Sequence, residues 1–154
     1  MKTRDELTGE ARYAIRLTQR TARLYRRVQT SGVFLSILGG SAALVSVTGE
    51  VPLWLTACGG VLLAVSGAAL VAIRPADKAA LNEADTRRYT ALIAKANSMN
   101  DQEFAAAIDE AHQSDAQEVE PLRAVAYNDI ALEFNRPDVA IPLTTTQKML
   151  AALA

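Results

Sequence analysis

Formal charge is almost missing from residues 28–73, where Glu50 is the single charged side chain. A bilayer has a hydrocarbon core about 30 Å thick, which a helix crosses with roughly 17 to 25 apolar residues. Two apolar runs of suitable length, 32–48 and 51–73, are joined by a short turn around Glu50. The pattern predicts an all-α chain in which residues 32–73 form a transmembrane helical hairpin with two spans. A hairpin buried inside a soluble protein is the alternative.

Cysteine and histidine occur once each, which restricts the chemistry that the chain can carry. Cys58 lies inside the second apolar run, so neither a disulfide within the chain nor a zinc site of several cysteines can form. His112 has Asp109 and Asp115 three residues to either side, but this pattern is typical of a solvated helix face. The sequence also lacks a Ser-His-Asp or Cys-His constellation and a phosphate-binding glycine loop. We predict no catalytic residues, no metal, no cofactor and no enzymatic activity.

Charge is unevenly distributed between the two ends of the chain. Residues 1–31 contain eight basic and three acidic side chains, a net charge of +5. Residues 74–154 contain eight basic and thirteen acidic side chains, a net charge of −5. Basic residues flank both apolar runs, whereas the turn between the runs has only Glu50. Because basic flanks stay on the cytoplasmic side of a membrane, both termini are predicted to be cytoplasmic.

Residues 1–31 are predicted to form a basic amphipathic helix on the cytoplasmic side. Apolar side chains recur every three or four positions from Leu7 to Tyr25, and no helix breaker precedes Gly32, so the helix should continue into the first apolar run. Its basic face can bind anionic lipid headgroups, and a solvated face that only fixes the topology is the alternative. Nucleic acid is not predicted as a partner. The lipid-facing candidates are Arg12, Arg16, Arg20, Arg23, Arg26 and Arg27.

Small residues recur at intervals of four in both apolar runs. Such spacing lets helix backbones approach closely in lipid, where helix association depends on packing. One face can pack within the hairpin and another against a second copy, so a homo-oligomer is predicted. The candidate packing residues are Gly32, Ser36, Gly40, Gly60, Ala64 and Ala68.

Ionisable groups other than the Cys58 thiol are missing from both runs, which argues against a pump or a secondary transporter. A passive pore is one interpretation, with Glu50 surrounding the pore mouth in a ring of protomers and favouring cations. A polar turn residue with no further role is the alternative for Glu50. The hydroxyl groups that could line such a pore belong to Ser36, Ser41, Ser46, Thr56 and Ser66.

Residues 74–154 are predicted to form cytoplasmic helices, with a stalk helix at 74–99 and a small acidic helical bundle at 100–154. Asn100 followed by acidic residues is a helix start. Pro121 opens the next helix, and Thr144 with Gln147 has the spacing of a capping box. The bundle has a modest apolar content, so it should need the stalk or another protomer for stability.

Four features in this order resemble the SLATT family, the two-transmembrane effector domains associated with SMODS nucleotidyltransferases and SLOG sensors. They are a helix with tyrosines and arginines, a two-span hairpin with a very short turn, the helix Arg87-Arg88-Tyr89-Thr90-Ala91-Leu92 and the helix Ala126-Tyr127-Asn128-Asp129. The resemblance extends from Arg12 to Gln147.

The resemblance implies an oligomeric effector in the bacterial inner membrane that permeabilises or disrupts this membrane in a nucleotide-signalled defence system. It assigns no nucleotide-binding residue. Since no sensor is fused, a separate sensor protein or a nucleotide is the implied source of the signal. A non-enzymatic membrane anchor or scaffold that recruits a soluble partner is the alternative function.

Overall fold

A computed structural model describes residues 2–45, 49 and 52–154. The described residues are predominantly helical and contain no strand, which confirms the predicted all-α class. Two short 3-10 turns, Ala96–Ser98 and Pro137–Val139, lie between the helices. The α-helices are α1 (Arg4–Val45), α2 (Leu53–Ile73), α3 (Pro75–Lys95), α4 (Asp101–Gln113), α5 (Leu122–Glu133) and α6 (Thr145–Leu153).

Helix α1 contains both the basic arm and the first apolar run, in 42 residues without a break. The acidic side chains Asp5 and Glu6 lie in its first turn, where they complement the positive end of the helix dipole. Proline is missing from this segment, and Gly9 lies inside the helix. The prediction that the arm continues directly into the apolar run is confirmed.

The junction of α2 and α3 is a single left-handed residue, Arg74, with φ of 51°. A residue before proline is disfavoured in the right-handed helical region, so Pro75 forces the break. Proline itself suits the first position of α3, because its missing N–H is not needed there. The Arg74 N–H still donates to the Leu70 carbonyl at 3.0 Å and closes the end of α2.

The predicted helix starts in the C-terminal half are confirmed. Asn100 accepts from the Glu103 N–H while Glu103 accepts from the Asn100 N–H, a complete capping box for α4. Thr144 and Gln147 make the same reciprocal pair for α6. Pro121 directly precedes α5.

The chain divides into two compact units. The first, here called the bundle unit, extends up to Leu24 and resumes with Lys78–Ala154. The second, here called the apolar pair, comprises Tyr25–Asp77, with the C-terminal part of α1 and all of α2.

The bundle unit has three small apolar cores, and the N-terminal part of α1 contributes to each. Leu7 and Ala11 pack with Phe104 and Ile108 of α4. Ala14 packs with Tyr89 of α3 and Ala111 of α4. Leu17 and Leu24 pack with α5 and the chain end, through Leu122, Val125, Ala126 and Ala154. The helices of segment 100–154 therefore bury their apolar faces on α1 and α3. These two helices supply the additional apolar surface that a segment of modest apolar content needs for stability.

Candidate membrane-inserting helix pair

The apolar pair consists of two helical segments that pack antiparallel. Gly32 lies beside Leu70, Ser36 contacts Ser66, and Gly39 lies beside Gly59 and Leu63. Partner numbers fall as the residue numbers along α1 rise, which defines the antiparallel direction. The contacts therefore continue along the two segments at intervals of about one helical turn.

Gly39 lies where the backbones of the two segments approach closely. A Cβ added there would lie 2.5 Å from the Gly59 carbonyl oxygen and 2.7 Å from the Leu63 nitrogen, both of which are backbone atoms. Backbone cannot move aside as a flexible side chain can, so this position accepts only glycine. Close backbone approach of this kind is what small residues provide in helix pairs within lipid.

The Ser36 and Ser66 hydroxyls form a hydrogen bond across the interface, with their oxygens 2.8 Å apart. Each hydroxyl oxygen also lies near a carbonyl of its own helix, Ser36 at 2.9 Å from Gly32 and Ser66 at 2.6 Å from Leu62. One hydroxyl donates across the interface, and the hydroxyl that accepts donates to its own carbonyl. Each hydroxyl therefore has partners inside the pair, as a polar group shielded from water requires. Both oxygens belong to the helix interface, whereas Ser41 is exposed and bonds only to its own helix at the Ile37 carbonyl.

The predicted packing residues divide between two faces. Gly32 and Ser36 lie in the interface, and a Cβ on Gly40 would reach only ordinary contact distance from Leu63, at 3.9 Å. By contrast, a Cβ added to Gly60 would meet nothing within 4 Å, and Ala64 and Ala68 are exposed. The three α2 candidates therefore face away from α1 and remain available to a neighbour.

Spacing alone does not tell which member of two glycine doublets makes the contact within the pair. The sequence contains Gly39-Gly40 and Gly59-Gly60, and the interface uses the first member of each. Both members continue a repeat of small residues, so the repeat does not distinguish them. The distinguishing signal is the rotation of each helix, which only the three-dimensional packing supplies.

Large apolar side chains cover the outside of the pair. Leu53 is 84 % exposed, Val71 78 % and Leu44 74 %, and Phe34, Ile37 and Trp54 are each more than 60 % exposed. Within the described ranges, one helical stretch, Leu53–Ser98, contains a segment that is long and apolar enough to cross a membrane. Only 11 % of its most apolar window is buried, whereas the core helix of a soluble protein would be mostly buried.

An apolar groove of about 510 Å³ lies between the segments near the turn. Among the described residues its lining contains no charged side chain, and the exposed Cys58 is one of the lining residues. Glu50 and Ser46, the predicted mouth residue and one predicted pore hydroxyl, lie outside the described residues. The groove is lined mainly by Leu38, Gly39, Ala42, Leu55, Cys58 and Leu62.

Three of the predicted lipid-facing arginines contact α5 in the bundle unit. Arg20 makes a bidentate pair with Asp129, at 2.8 and 2.9 Å, and donates to the Ala151 carbonyl at 3.0 Å. Arg16 and Arg12 both reach Glu133, at 2.9 and 3.3 Å. A bidentate guanidinium–carboxylate pair is among the stronger polar contacts in proteins, so Arg20 joins α1, α5 and α6.

The other predicted arginines lie at the end of the basic arm. Arg23, Arg26 and Arg27 are exposed and have polar or ring contacts of their own within the described structure. They precede the apolar run that begins at Gly32, which is the position that the positive-inside rule requires. Their lipid-facing role stays a prediction.

A cluster of buried polar groups lies where α3 meets the end of α4. The Asp85 carboxylate, 3 % exposed, accepts from Arg88 at 2.7 Å and from the Ala116 N–H at 2.8 Å. The fully buried Tyr89 donates its hydroxyl to Asp115 at 2.6 Å. Burial raises the pKa of Asp115, although the Tyr89 hydrogen bond opposes that shift. Burial, together with this carboxylate, also raises the pKa of Tyr89, so the phenol keeps its proton.

His112 stacks on Tyr89 with ring centroids 5.5 Å apart, next to the same cluster. Among the residues that the structure describes, no group of three or more histidine, cysteine or acidic side chains is arranged to hold a metal ion. The Asp109–His112–Asp115 pattern in the sequence is therefore not assembled into such a group. Asp115 instead serves as the acceptor for Tyr89.

Comparison of the chain with protein-family models, with curated proteins and with solved structures finds no match.

Proposed function

We propose that this protein is an oligomeric effector of the bacterial inner membrane, which inserts the apolar pair as two spans and permeabilises the bilayer when signalled. The observation that carries the proposal is the inverted packing of the pair. Glycines and serines meet at its centre, while leucine, valine, phenylalanine and tryptophan side chains face outward. This arrangement is suited to a lipid environment, where large apolar side chains are solvated and small ones allow close packing.

Energetics support lipid as the surroundings of the pair. In water, each exposed square ångström of apolar surface costs about 25 cal/mol relative to an apolar medium. Several largely exposed leucine and valine side chains on one helix pair would make a large exposed apolar patch, which is unusual for a soluble monomer. In hydrocarbon this cost disappears.

The length of α2 matches a bilayer. Its 21 residues make a helix of about 31 Å at 1.5 Å per residue, close to the thickness of the hydrocarbon core. Residues 32–45 of α1 accompany it in the opposite direction. With basic residues before Gly32 and after Ile73, both termini would be cytoplasmic.

Assembly would use the outward face of α2. Gly60 has open space around it, and Ala64 and Ala68 are exposed on the same helix. Small residues four apart allow a second copy to approach as closely as α1 does at Gly39. In this proposal the bundle unit holds the assembly closed until a separate sensor protein or a nucleotide acts on it, as the resemblance to the SLATT family implies.

Purified protein reconstituted into dye-loaded vesicles of bacterial lipid tests the proposal. Wild-type protein is expected to release dye at a rate that rises more steeply than linearly with protein per vesicle, because several copies must assemble. Gly60→Leu should insert equally well but release little dye, since it blocks the outward face while leaving the interface with α1 unchanged. Ala69→Leu, at an exposed α2 position outside the small-residue repeat, is the matched control. Full insertion of the wild type without release would contradict the permeabilising role.

A membrane anchor that recruits a soluble partner is the second candidate. It is favoured by exposed apolar side chains at the C-terminal end of the bundle unit, where Leu132, Phe134 and Ile141 are 62, 47 and 46 % exposed. Replacing residues 32–73 by an unrelated two-span hairpin separates the two functions. An anchor would keep its activity in the cell, whereas an effector that acts through its own spans would lose it.

A further inference from the structure

Helix α3 has a row of buried polar side chains. Asn82, Asp85 and Tyr89 are each no more than 2 % exposed, and they follow one another at intervals of three and four. On the facing side of α1, Thr21 is fully buried and Thr18 is 5 % exposed. A helix normally turns its apolar stripe toward the core, so this face requires an explanation.

The register of α1 and α3 follows from two contacts. Ala14 and Tyr89 share one core, and the Thr18 and Thr86 hydroxyl oxygens are 2.8 Å apart. Residue numbers rise along α1 as they fall along α3, so the two helices are antiparallel. Seven residues make about two helical turns, so the next layer on the same faces lies seven residues after Ala14 and seven residues before Tyr89. This layer contains Thr21 and Asn82.

The two layers differ in how well their polar atoms are satisfied. In the first, the Thr18 and Thr86 hydroxyls are in contact, and each also lies near a carbonyl of its own helix, Ala14 at 2.9 Å and Asn82 at 3.0 Å. One hydroxyl donates to the other, which donates to its own carbonyl, so both are satisfied. In the second, the Thr21 hydroxyl and the Asn82 side-chain oxygen are buried and have no hydrogen-bonding partner among the described residues. The Asn82 amide nitrogen is satisfied, because it donates to the Lys78 carbonyl at 2.8 Å.

An unpaired donor on one helix therefore lies in the same layer as an unpaired acceptor on the other. Buried polar atoms without partners destabilise the state that contains them, and the large majority of such groups in native proteins are paired. A small shift of one helix relative to the other would bring a hydroxyl donor to an amide acceptor. The hydrogen bonds of the Thr18 layer thus stabilise the observed register of α1 and α3, whereas the unpaired atoms of the Thr21 layer destabilise it.

We infer that the Thr21–Asn82 layer is a conformational switch, poised between the observed register and one in which the Thr21 hydroxyl donates to the Asn82 side-chain oxygen. The layer lies next to Leu24 and Lys78, where α1 and α3 continue toward the apolar pair along the chain. Its role in releasing the membrane-active state rests on the proposed function. A signal that binds one register better than the other would shift the population between them.

Substitution of threonine by valine, which has nearly the same shape, tests the layer directly. Thr21→Val removes the unpaired hydroxyl and is expected to raise the Tm of the full-length protein by about 2–8 °C. It should also slow amide hydrogen exchange in α3 by about tenfold. Thr18→Val is the matched control, because it breaks the Thr18–Thr86 bond, and it should lower the Tm and speed exchange in the same helix. A lowered Tm for Thr21→Val would overturn the inference, since it would mean that the hydroxyl already has a partner such as an ordered water.

Dye release from vesicles separates this inference from the proposed function. If the wild type releases dye, Thr21→Val should release it several-fold more slowly and Thr18→Val faster. A stabilised Thr21→Val with unchanged release would overturn the switch while leaving the effector proposal intact. If no variant releases dye, the effector proposal fails, and the opposite shifts in hydrogen exchange still decide whether the layer is poised between two registers.

Discussion

The bundle unit and the apolar pair are built from the same helix, α1, yet they pack in opposite ways. In the bundle unit Phe104 and Ile108 are buried and charged residues such as Asp101 and Glu110 are exposed. In the apolar pair a close contact is made by Gly39 and Gly59, while phenylalanine, leucine and tryptophan side chains face out. This difference supports the proposal that the two parts of α1 are adapted to different solvents. Water drives large apolar groups inward, whereas lipid leaves close packing and hydrogen bonds to hold helices together.

The largest expected effect contrasts two phenylalanines. Phe104→Ala should destabilise the bundle unit by about 3–5 kcal/mol, because a fully buried aromatic ring is lost and a cavity remains. Phe34 lies on the outside of the apolar pair and is 62 % exposed, so Phe34→Ala should change the stability in detergent by less than about 0.5 kcal/mol. Thermal unfolding in detergent micelles measures both. Similar losses for the two variants would mean that Phe34 is also packed against protein.

The next effect sharpens the role of glycine in the apolar pair. Gly39→Ala should destabilise the pair by about 1–3 kcal/mol, since the added methyl group would overlap the backbone of α2. Gly67→Ala is its control, because a Cβ there meets nothing within 4 Å. Resistance of the two variants to unfolding by SDS in mixed micelles compares them. Equal resistance would show that α1 and α2 do not approach at Gly39.

A smaller effect concerns the hydrogen bond within the apolar pair. Ser66→Ala should lose about 0.6–1.7 kcal/mol, the range for a hydrogen bond between helices in a membrane. Ser41→Ala removes a hydroxyl that bonds only to its own helix, and little change is expected. The same titration with SDS applies. A Ser41→Ala loss as large as that of Ser66→Ala would contradict a special role of the Ser36–Ser66 pair.

The smallest effect is a pH dependence in the bundle unit. Burial raises the pKa of Asp115 in the folded protein, so the folded state holds this proton more tightly than the unfolded chain does. Stability from this group therefore falls as the pH rises from the ordinary aspartate pKa of about 3.9 to the raised value, and is constant above it. Asp115→Asn should remove this decline, because an amide does not titrate. The Tyr89 hydrogen bond is kept, since the amide oxygen can still accept it.

Asp138 provides the control of opposite sign. The hydrogen bond from Arg136 lowers the pKa of the exposed Asp138 carboxyl, so its contribution to stability is lost as the pH falls through the lowered value. Asp138→Asn removes only this contribution, so the decline in stability caused by Asp115 should stay unchanged. Denaturant unfolding of each variant between pH 3 and pH 7 gives the slopes. An Asp115→Asn profile identical to that of the wild type would contradict the assignment.

Local features of the fold could be predicted because they depend on neighbouring residues. Asn100, Pro121 and the Thr144–Gln147 pair start helices through contacts within one turn. Pro75 breaks the chain after α2 for a similarly local reason. The apolar stripe beginning at Leu7 and Ala11 is likewise buried as its period indicates.

Partners across the fold could not be predicted in the same way. The period of α1 shows that one face is apolar, but it does not show that α3, α4, α5 and α6 all pack on this helix. The recurrence of basic residues predicts that Arg20 faces lipid, whereas Arg20 contacts Asp129, 109 residues away in the sequence. The same limit applies to Gly39 and to Thr21, whose environments depend on the rotation and register of a second helix.

Labelling of Cys58 tests the central claim, that lipid surrounds the apolar pair. This residue is the only cysteine in the sequence, and it is exposed on the pair. In intact membrane vesicles a water-soluble maleimide should leave Cys58 unmodified until the membrane is dissolved in SDS. Gly9→Cys in a Cys58→Ser background, where the side chain has open space, should react at once in inverted vesicles, whose outer surface is the face that the proposed function assigns to the bundle unit. Reaction of Cys58 in intact vesicles at the rate seen in SDS would contradict the account.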